Sequence, residues 1–175
     1  GRRLLPTLAH ASPFVRASVL RALRELRLPE ACEAALEAAG AVEAGVRLEA
    51  VGVLGWLKRG EALPVLAGLA TGDEDPEVRR AAVGALGLAV DDSVLPALLQ
   101  ALGDPVWQVR EEAATTLGKL RLGAALEALV GALEDDYWQV RLRAARTLGR
   151  LKDGRAVRPL VDSALGHSSA NLRKE

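Results

Sequence analysis

The sequence has 175 residues, a formal net charge of zero and a hydrophobic fraction of 50%, and aromatic residues make up only 3% of the chain. A chain of this length can bury a core without disulfides, and its lone cysteine, Cys32, excludes an internal disulfide and fits a reducing, cytoplasmic compartment. The neutral charge gives no general attraction for nucleic acid or acidic membranes, and no uncharged run is long enough to span a bilayer.

A Val-Arg pair recurs along the chain at nearly constant spacing. Its arginines, 31, 32, 31 and 31 residues apart, are Arg16, Arg47, Arg79, Arg110 and Arg141. Leucine follows each arginine after seven residues, and glycine follows four of the five after eight. Five copies in one phase predict a repeat protein. We divide the chain, as a single domain, into the end of a partial repeat (1–11), five repeats (12–166) and the start of a truncated sixth (167–175), and expect it to be a segment of a longer protein.

The first helix of each repeat, helix A, is predicted around the Val-Arg pair. In the fourth repeat its apolar residues have the spacing of one buried helical face: Val109, Ala113, Ala114, Leu117 and Leu120. The predicted N-cap residues, each followed by proline, are Ser12, Asp75 and Asp104. The helix is expected to stop at a glycine in the left-handed conformation, and the predicted stops are Gly60, Gly123 and Gly154.

The second helix, helix B, is shorter and is predicted over 93–102, 124–133 and 155–165. Prolines near its start, where a missing N–H is harmless, are Pro64, Pro96 and Pro159. No strand-like alternation competes with the helical pattern. Because one helix pair cannot bury its own apolar face, the pairs are expected to stack on one another.

The glycine eight residues after the repeated arginine needs a reason, because glycine in a helix costs about 1 kcal/mol relative to alanine. The four copies are Gly55, Gly87, Gly118 and Gly149. Close backbone approach to the neighbouring repeat explains them, and early helix termination is the alternative. We favour close packing.

The segments "DPVWQVREEAATTLGKL" and "DDYWQVRLRAARTLGRL" resemble the short HEAT-like repeats named after phycobilisome lyases, and the resemblance covers essentially the whole chain. It is weaker in the first two repeats, where Arg24 replaces the glycine and where His10 and Ala41 stand in place of Asp104 and Asp135. The resemblance implies an all-α, right-handed α-solenoid of stacked antiparallel helix pairs. It also implies a protein that binds other proteins, or one that handles bilin chromophores, as some members do.

The repeated arginines are predicted to serve the repeat itself, together with Asp75, Asp104 and Asp135. An acid at a helix start caps backbone N–H groups. A guanidinium can then bind the acid of an adjacent repeat in a bidentate manner. A residue that recurs in every repeat is expected to stabilise the repeat structure rather than to bind a ligand.

Function is expected where the repeats differ, on the exposed surface of helix A, which lines the concave face in similar solenoids. "WQ" occurs twice at one phase, so we expect the rings of Trp107 and Trp138 to lie side by side, either as binding anchors or packed over the seam between repeats. The candidate partner-binding residues are Trp107, Gln108, Glu111, Trp138, Gln139, Leu142, Arg143 and Arg146. Arg143 and Arg146 are interpreted as charge selectors, and Glu111 and Gln139 as a polar rim.

No catalytic or cofactor signature is present in the sequence. His10 and His167 fall at predicted turns, and Cys32 falls at a core position of helix B. No zinc spacing, phosphate-binding glycine loop or nucleophile elbow occurs. We therefore predict a non-enzymatic scaffold for another protein, without cofactor or metal. The alternatives are a bilin lyase-like subunit and a weak nucleic-acid binder, and self-association through exposed ends is also expected.

Overall fold

The structure, a computed structural model, describes residues 2–166, apart from the side chains of residues 2, 3, 164 and 165. The predicted start of a sixth repeat and His167 lie outside the described residues. Within this range the chain forms ten α-helices and five 3₁₀ segments and no strand, so the all-α prediction is confirmed. None of the helices in 2–166 combines the length and the apolar character needed to cross a bilayer.

The chain groups into two compact units, Gly1–Ala89 and Val90–Glu175. The first contains a 3₁₀ segment (Arg2–Ala9) and helices α1 (Pro13–Glu25), α2 (Ala31–Ala38), α3 (Ala44–Leu57), α4 (Leu63–Gly72) and α5 (Pro76–Leu86). The second contains α6 (Leu95–Ala101), α7 (Trp107–Leu120), α8 (Leu126–Gly131), α9 (Trp138–Leu151) and α10 (Val157–Gly166). Odd-numbered helices are the predicted helices A and even-numbered ones the helices B. The division into units falls inside the third repeat, and the single domain stays a prediction.

Each unit is built from helix pairs that pack on their neighbours. In the first unit α1 packs on α3 and α3 on α5, while α2 and α4 pack against α3 and α5. In the second, α7 packs on α9, with α6 against α7 and α8 against α9. The leucine seven residues after each repeated arginine is at most 1% exposed: Leu23, Leu54, Leu86, Leu117 and Leu148. The predicted apolar face of helix A is therefore the core.

The predicted N-cap positions are confirmed at Ser12 and Asp75, but only Asp75 caps its helix through its side chain. The Asp75 carboxylate accepts hydrogen bonds from the N–H groups of Glu77 and Val78, at 2.8 and 3.4 Å, and so caps α5. Ser12 precedes α1 but makes no such bond.

Asp104 is not an N-cap, because α7 begins at Trp107. Its Oδ1 instead accepts the N–H of Val106, two residues on, at 2.8 Å, which forms a local turn before the helix. Asp135 makes the same bond to the Tyr137 N–H at 2.9 Å. In the third repeat this position is held by Asp73, not by the Asp75 of the sequence prediction, and its Oδ1 accepts the Asp75 N–H at 2.9 Å.

Asp75→Ala is expected to lower the free energy of unfolding by about 1 kcal/mol, because it removes the acceptor for two N–H groups at a helix start. Ser12→Ala is the matched control, since the Ser12 side chain makes no cap hydrogen bond. Urea unfolding of both variants measures the difference. Equal losses at the two positions would contradict the capping role of Asp75.

The predicted glycine stops of helix A are wrong. The left-handed residue comes two positions earlier and is basic in each case: Arg27, Lys58, Arg121 and Lys152, with φ between 53° and 55°. The N–H of Lys58 and that of Arg121 bond the carbonyls of Leu54 and Leu117, which closes the last helical turn. A cation here also suits the negative end of the helix dipole. The predicted glycines begin the 3₁₀ segments Gly60–Ala62, Gly123–Ala125 and Gly154–Ala156 that lead into helix B.

The repeated glycine has two explanations in different repeats. A Cβ on Gly55 would lie 3.0 Å from Ala85 Cβ, and one on Gly118 would lie 2.6 Å from Thr147 Oγ1, so close packing is confirmed there. Gly87 instead ends α5 as its C-cap, so early termination holds in the third repeat. Gly149 has no neighbour that an added Cβ would touch within the described residues.

Candidate partner-binding surface

Arginine–aspartate bridges set the spacing of consecutive helices A. The Nε and Nη2 atoms of Arg110 donate to the two oxygens of Asp135, at 2.7 and 2.8 Å. Arg47 binds Asp73 in the same way, at 2.7 Å on both sides. The bidentate bridge predicted between adjacent repeats is thus confirmed, although the acid of the third repeat is Asp73.

The opposite edge of the same guanidinium binds its own repeat. Arg110 Nη1 donates to the carbonyls of Asp104 and Pro105, at 2.7 and 3.3 Å. Each bridge therefore joins the turn before one helix A to the turn before the next. The planar arginine guanidinium has five N–H donors, so it can bind the carboxylate of the next repeat and the carbonyls of its own repeat at once. The ammonium group of lysine cannot do this.

The bridges hold two carboxyl groups in their charged form. Burial acts to raise the pKa of Asp135, but the hydrogen bonds from Arg110 and the Tyr137 N–H, with the charges of Arg110 and Arg141, outweigh it. The pKa of Asp135 therefore lies below its ordinary value. The pKa of Asp73 is lowered in the same way, because hydrogen bonds from Arg47 and the Asp75 N–H oppose its burial.

The Trp107 ring stacks on Tyr137 rather than on Trp138. The centroids of Trp107 and Tyr137 are 5.5 Å apart and their planes differ by 16°. The Arg110 guanidinium lies 5.6 Å from the Tyr137 centroid, so the stack covers the arginine–aspartate bridge. Sequence reasoning paired the wrong rings and missed Tyr137, the N-cap of α9. Trp107 is half-buried in this seam, whereas Trp138 is 45% exposed.

The remaining candidate residues lie on α7 and α9 in different environments. Arg143 Nη2 donates to Glu111 Oε1 at 3.0 Å, so the proposed charge selector and the proposed rim residue pair with each other. Gln108 and Arg146 are exposed, and Leu142 is half-buried. The Oε1 atom of Gln139 is buried and accepts no hydrogen bond within the described part of the chain.

An apolar groove in the first unit was not predicted as a site. It has a volume of about 390 Å³ and lies between α3 and α5. Its lining includes the charged Arg24 and Glu49 and the small residues Gly52, Gly55, Ala81 and Ala85. The partly exposed Leu48 and Leu88 also line it. The sequence signal for this groove was the presence of two small residues on each of two consecutive helices A.

The isolated cysteine and histidine serve the fold, as predicted. Cys32 is 5% exposed, and its thiol donates to Glu61 Oε1 at 3.2 Å. Burial raises the pKa of this thiol and keeps it protonated. His10 lies in an exposed turn, where its Nδ1 accepts the Ser12 N–H at 3.0 Å.

Solved structures with similar folds come from several kinds of protein. A chain in the complex of CpcE and CpcF of phycocyanin lyase from Nostoc sp. PCC7120 is 23% identical, with a TM-score of 0.75, covering 98% of this chain and 72% of that one. A designed armadillo repeat protein in complex with the peptide (KR)4 is 18% identical, with a TM-score of 0.67 and coverages of 98% and 94%. Human deoxyhypusine hydroxylase is 22% identical, with a TM-score of 0.59 and coverages of 99% and 69%. No curated protein matches the sequence significantly.

The family assignment comes from the repeat itself. The model of HEAT repeats matches residues 2–86 and 69–139, and the model of a single HEAT repeat matches residues 125–154. These matches span most of the chain and agree with the stacked helix pairs of the structure. The chain belongs to the HEAT repeat family.

Proposed function

We propose that this protein is a non-enzymatic scaffold that binds another protein along the exposed surface of its helices A. The observation that carries the proposal is Trp138, an indole left 45% exposed at the first residue of α9. An exposed tryptophan is unfavourable in water, and tryptophan is enriched among the residues that dominate protein–protein binding.

The surroundings of Trp138 suit a protein ligand. Leu142 and Arg146 follow at intervals of four residues, so the three side chains lie along one side of α9. We call them the α9 strip. An apolar ring, an aliphatic side chain and a cation in line fit a partner segment with apolar residues and an acid at the matching spacing.

The Glu111–Arg143 pair borders the strip on the side of α7. We assign this pair to the rim of the proposed surface, and we assign the contact with an acid of the partner to the exposed Arg146. Gln108, Gln139 and Trp107 complete the proposed surface. The similar folds include one bound to a peptide and one in a two-protein complex, and this supports a protein partner for the present chain.

Trp138→Ala combined with Arg146→Glu is expected to weaken partner binding at least tenfold while leaving the helical circular dichroism and the melting temperature nearly unchanged. Affinity capture from source lysate with wild-type and variant baits, read by mass spectrometry, identifies the partner, and titration calorimetry then measures the affinity.

Val42→Ala is the matched control, because Val42 is 92% exposed but lies on the turn before α3. Proteins retained by the wild type and by Val42→Ala but lost from the double variant support the α9 strip. Identical protein sets from all three baits contradict it. A collapse of the melting temperature in the double variant would show that Trp138 belongs to the core.

The bilin-handling alternative implied by the family resemblance is tested on the same protein. A bilin titration that leaves the absorbance spectrum unchanged counts against it. Nucleic-acid binding, the third alternative, predicts an affinity that falls steeply with salt.

A further inference from the structure

Ion pairs cover the surface seam between consecutive helices A at two places in the structure. Between α1 and α3, Arg21 binds Glu49 Oε1 through Nε and Nη2, at 2.9 and 2.6 Å. Between α7 and α9, Arg143 Nη2 donates to Glu111 Oε1 at 3.0 Å. Glu49 and Arg143 stand at the same position of their repeats, two residues after the repeated arginine. Long polar side chains therefore fill the surface of both seams.

The seam between α3 and α5 has an alanine, Ala81, at this position. A methyl group can neither reach across the seam nor carry a charge, and Gly52 and Gly55 on the facing helix add no side chain. The groove of about 390 Å³ lies here. Leu48 on α3 and Leu88 just after α5 also line it, and they are 36% and 38% exposed. The groove can therefore take an aliphatic side chain from another molecule.

A cation, Arg24, borders the groove. It stands where later repeats have the repeated glycine, and its Nη1 lies 2.9 Å from the Cβ position of Gly52. Arg21 already binds Glu49, and Arg24 Nη1 lies 3.8 Å from Glu49 Oε2, beyond hydrogen-bond distance. Arg24 Nη2 makes only a long bond of 3.4 Å to Glu25, a side chain that is 73% exposed. The Arg24 guanidinium can therefore bind a further carboxylate beside the groove.

The surface that continues from the groove is also suited to a protein segment. Leu48, Gly52 and Trp56 follow at intervals of four residues, so they lie along one side of α3. The Trp56 ring is 44% exposed, and the guanidinium of Arg27 lies 4.7 Å from its centroid. A segment that crosses the groove therefore meets apolar surface on α3 and arginines of the first repeat.

We propose that this groove binds a segment of a partner protein in which a glutamate or aspartate stands next to a leucine or isoleucine. The aliphatic side chain enters between α3 and α5, and the carboxylate binds Arg24. Among the described residues, Arg21, Arg24 and Arg27 outnumber the two acids that they contact, Glu25 and Glu49, which favours an acidic segment over a basic one. The groove site rests on the proposed scaffold function, but it lies in the first unit and does not depend on the α9 strip.

A peptide titration of the nitrogen-15-labelled full chain tests the groove site. The probe is the acetylated and amidated peptide Gly-Ser-Glu-Leu-Glu-Ser-Gly, and we expect it to shift the backbone amide signals of Gly52, Gly55 and Ala81 in a saturable manner. Serine in place of the leucine should abolish the shifts, because the groove then stays empty. Glutamine in place of both glutamates should weaken binding about threefold. An unchanged spectrum at millimolar peptide, or equal binding of the glutamate and glutamine peptides, overturns the proposal.

Two variants of the chain assign the contacts. Arg24→Gln should bind the glutamate and glutamine peptides equally, because it removes the ion pair that distinguishes them. Gly52→Leu fills the groove and displaces only the flexible end of Arg24, so it should weaken binding at least about tenfold. Gly131→Leu is the matched control, since Gly131 is an exposed helical glycine of the second unit with open space around it. Equal affinity of the two leucine variants overturns the groove as the site.

The variant with Trp138→Ala and Arg146→Glu separates the groove from the α9 strip. It alters the strip but leaves the first unit intact, so it should bind the glutamate peptide with unchanged affinity. Weaker binding by this variant would place the peptide on the α9 strip and overturn the groove site. If the wild-type chain binds no peptide while protein capture still depends on the α9 strip, the groove site fails and the scaffold function stands.

Discussion

Gly118→Ala is expected to destabilise the protein by about 2 kcal/mol, although alanine is the better helix former. A Cβ at this position would lie 2.6 Å from Thr147 Oγ1 and 3.2 Å from Thr147 Cγ2. Thr147 cannot turn away freely, because it is fully buried and its hydroxyl donates to the Ala114 carbonyl at 2.8 Å. Urea unfolding followed by circular dichroism measures the loss.

Gly149→Ala is the control for this substitution, since it stands at the same phase of the next repeat and has no side-chain neighbour within the described residues. It should raise stability by about 0.5–1 kcal/mol through helix propensity alone. In a Thr147→Ala background the loss caused by Gly118→Ala should shrink to a small fraction. Equal effects at the two glycines would show that α7 and α9 do not require the close approach.

Asp135→Asn is expected to lower the free energy of unfolding by about 3 kcal/mol, because it leaves the Arg110 guanidinium without its counter-charge in a partly buried seam. The Arg110 and Asp135 side chains are only 13% and 10% exposed, so water cannot replace the lost partner fully. Arg110→Lys should cause a smaller loss, since one ammonium keeps the charge but cannot make both side-on bonds. The Arg155–Asp153 pair on the surface is the control, and Arg155→Gln should leave the free energy of unfolding nearly unchanged, because water screens this pair.

The same bridge predicts the direction of the pH dependence. The pKa of Asp135 in the folded protein lies below its ordinary value of 3.8, which the unfolded chain retains. Its contribution to stability is therefore complete above the unfolded pKa and is lost as the pH falls through the folded pKa. Asp73 contributes with the same sign. Asp135→Asn should unfold with a shallower dependence on pH below about 4, and an unchanged slope would contradict this account.

The helices and the core followed from the sequence because they depend on a pattern that repeats five times. Leu117 and its counterparts are buried in every repeat, and the all-α fold needed only their phase. The ends of the helices did not follow, because they depend on local hydrogen bonds that single residue types do not determine. Asp104 binds the second N–H ahead instead of capping α7, and Arg121 takes the left-handed conformation expected of Gly123.

The candidate surface was predictable in its location on helix A but not in its pairings. Trp107 and Trp138 have the same position in their repeats, but the residue before Trp138 is Tyr137, where the previous repeat has Val106. The Tyr137 ring stacks on Trp107. The pairing of Arg143 with Glu111 joins side chains on two helices, and its distance depends on how closely α7 and α9 pack. Periodicity assigns residues to a helix face, whereas contacts across the seam need the actual spacing of the helices.

The three tryptophans are distributed so that their fluorescence can follow the unfolding of each unit. Trp56, with Arg27 lying 4.7 Å above its ring, belongs to the first unit, and Trp107 and Trp138 belong to the second. Trp56→Phe leaves tryptophan fluorescence only from the second unit, and Trp107→Phe with Trp138→Phe leaves it only from the first. Denaturation curves of the two variants therefore read each half of the chain separately. Their midpoints reveal whether the two halves melt as one cooperative block or in succession, as nearest-neighbour repeat arrays can do.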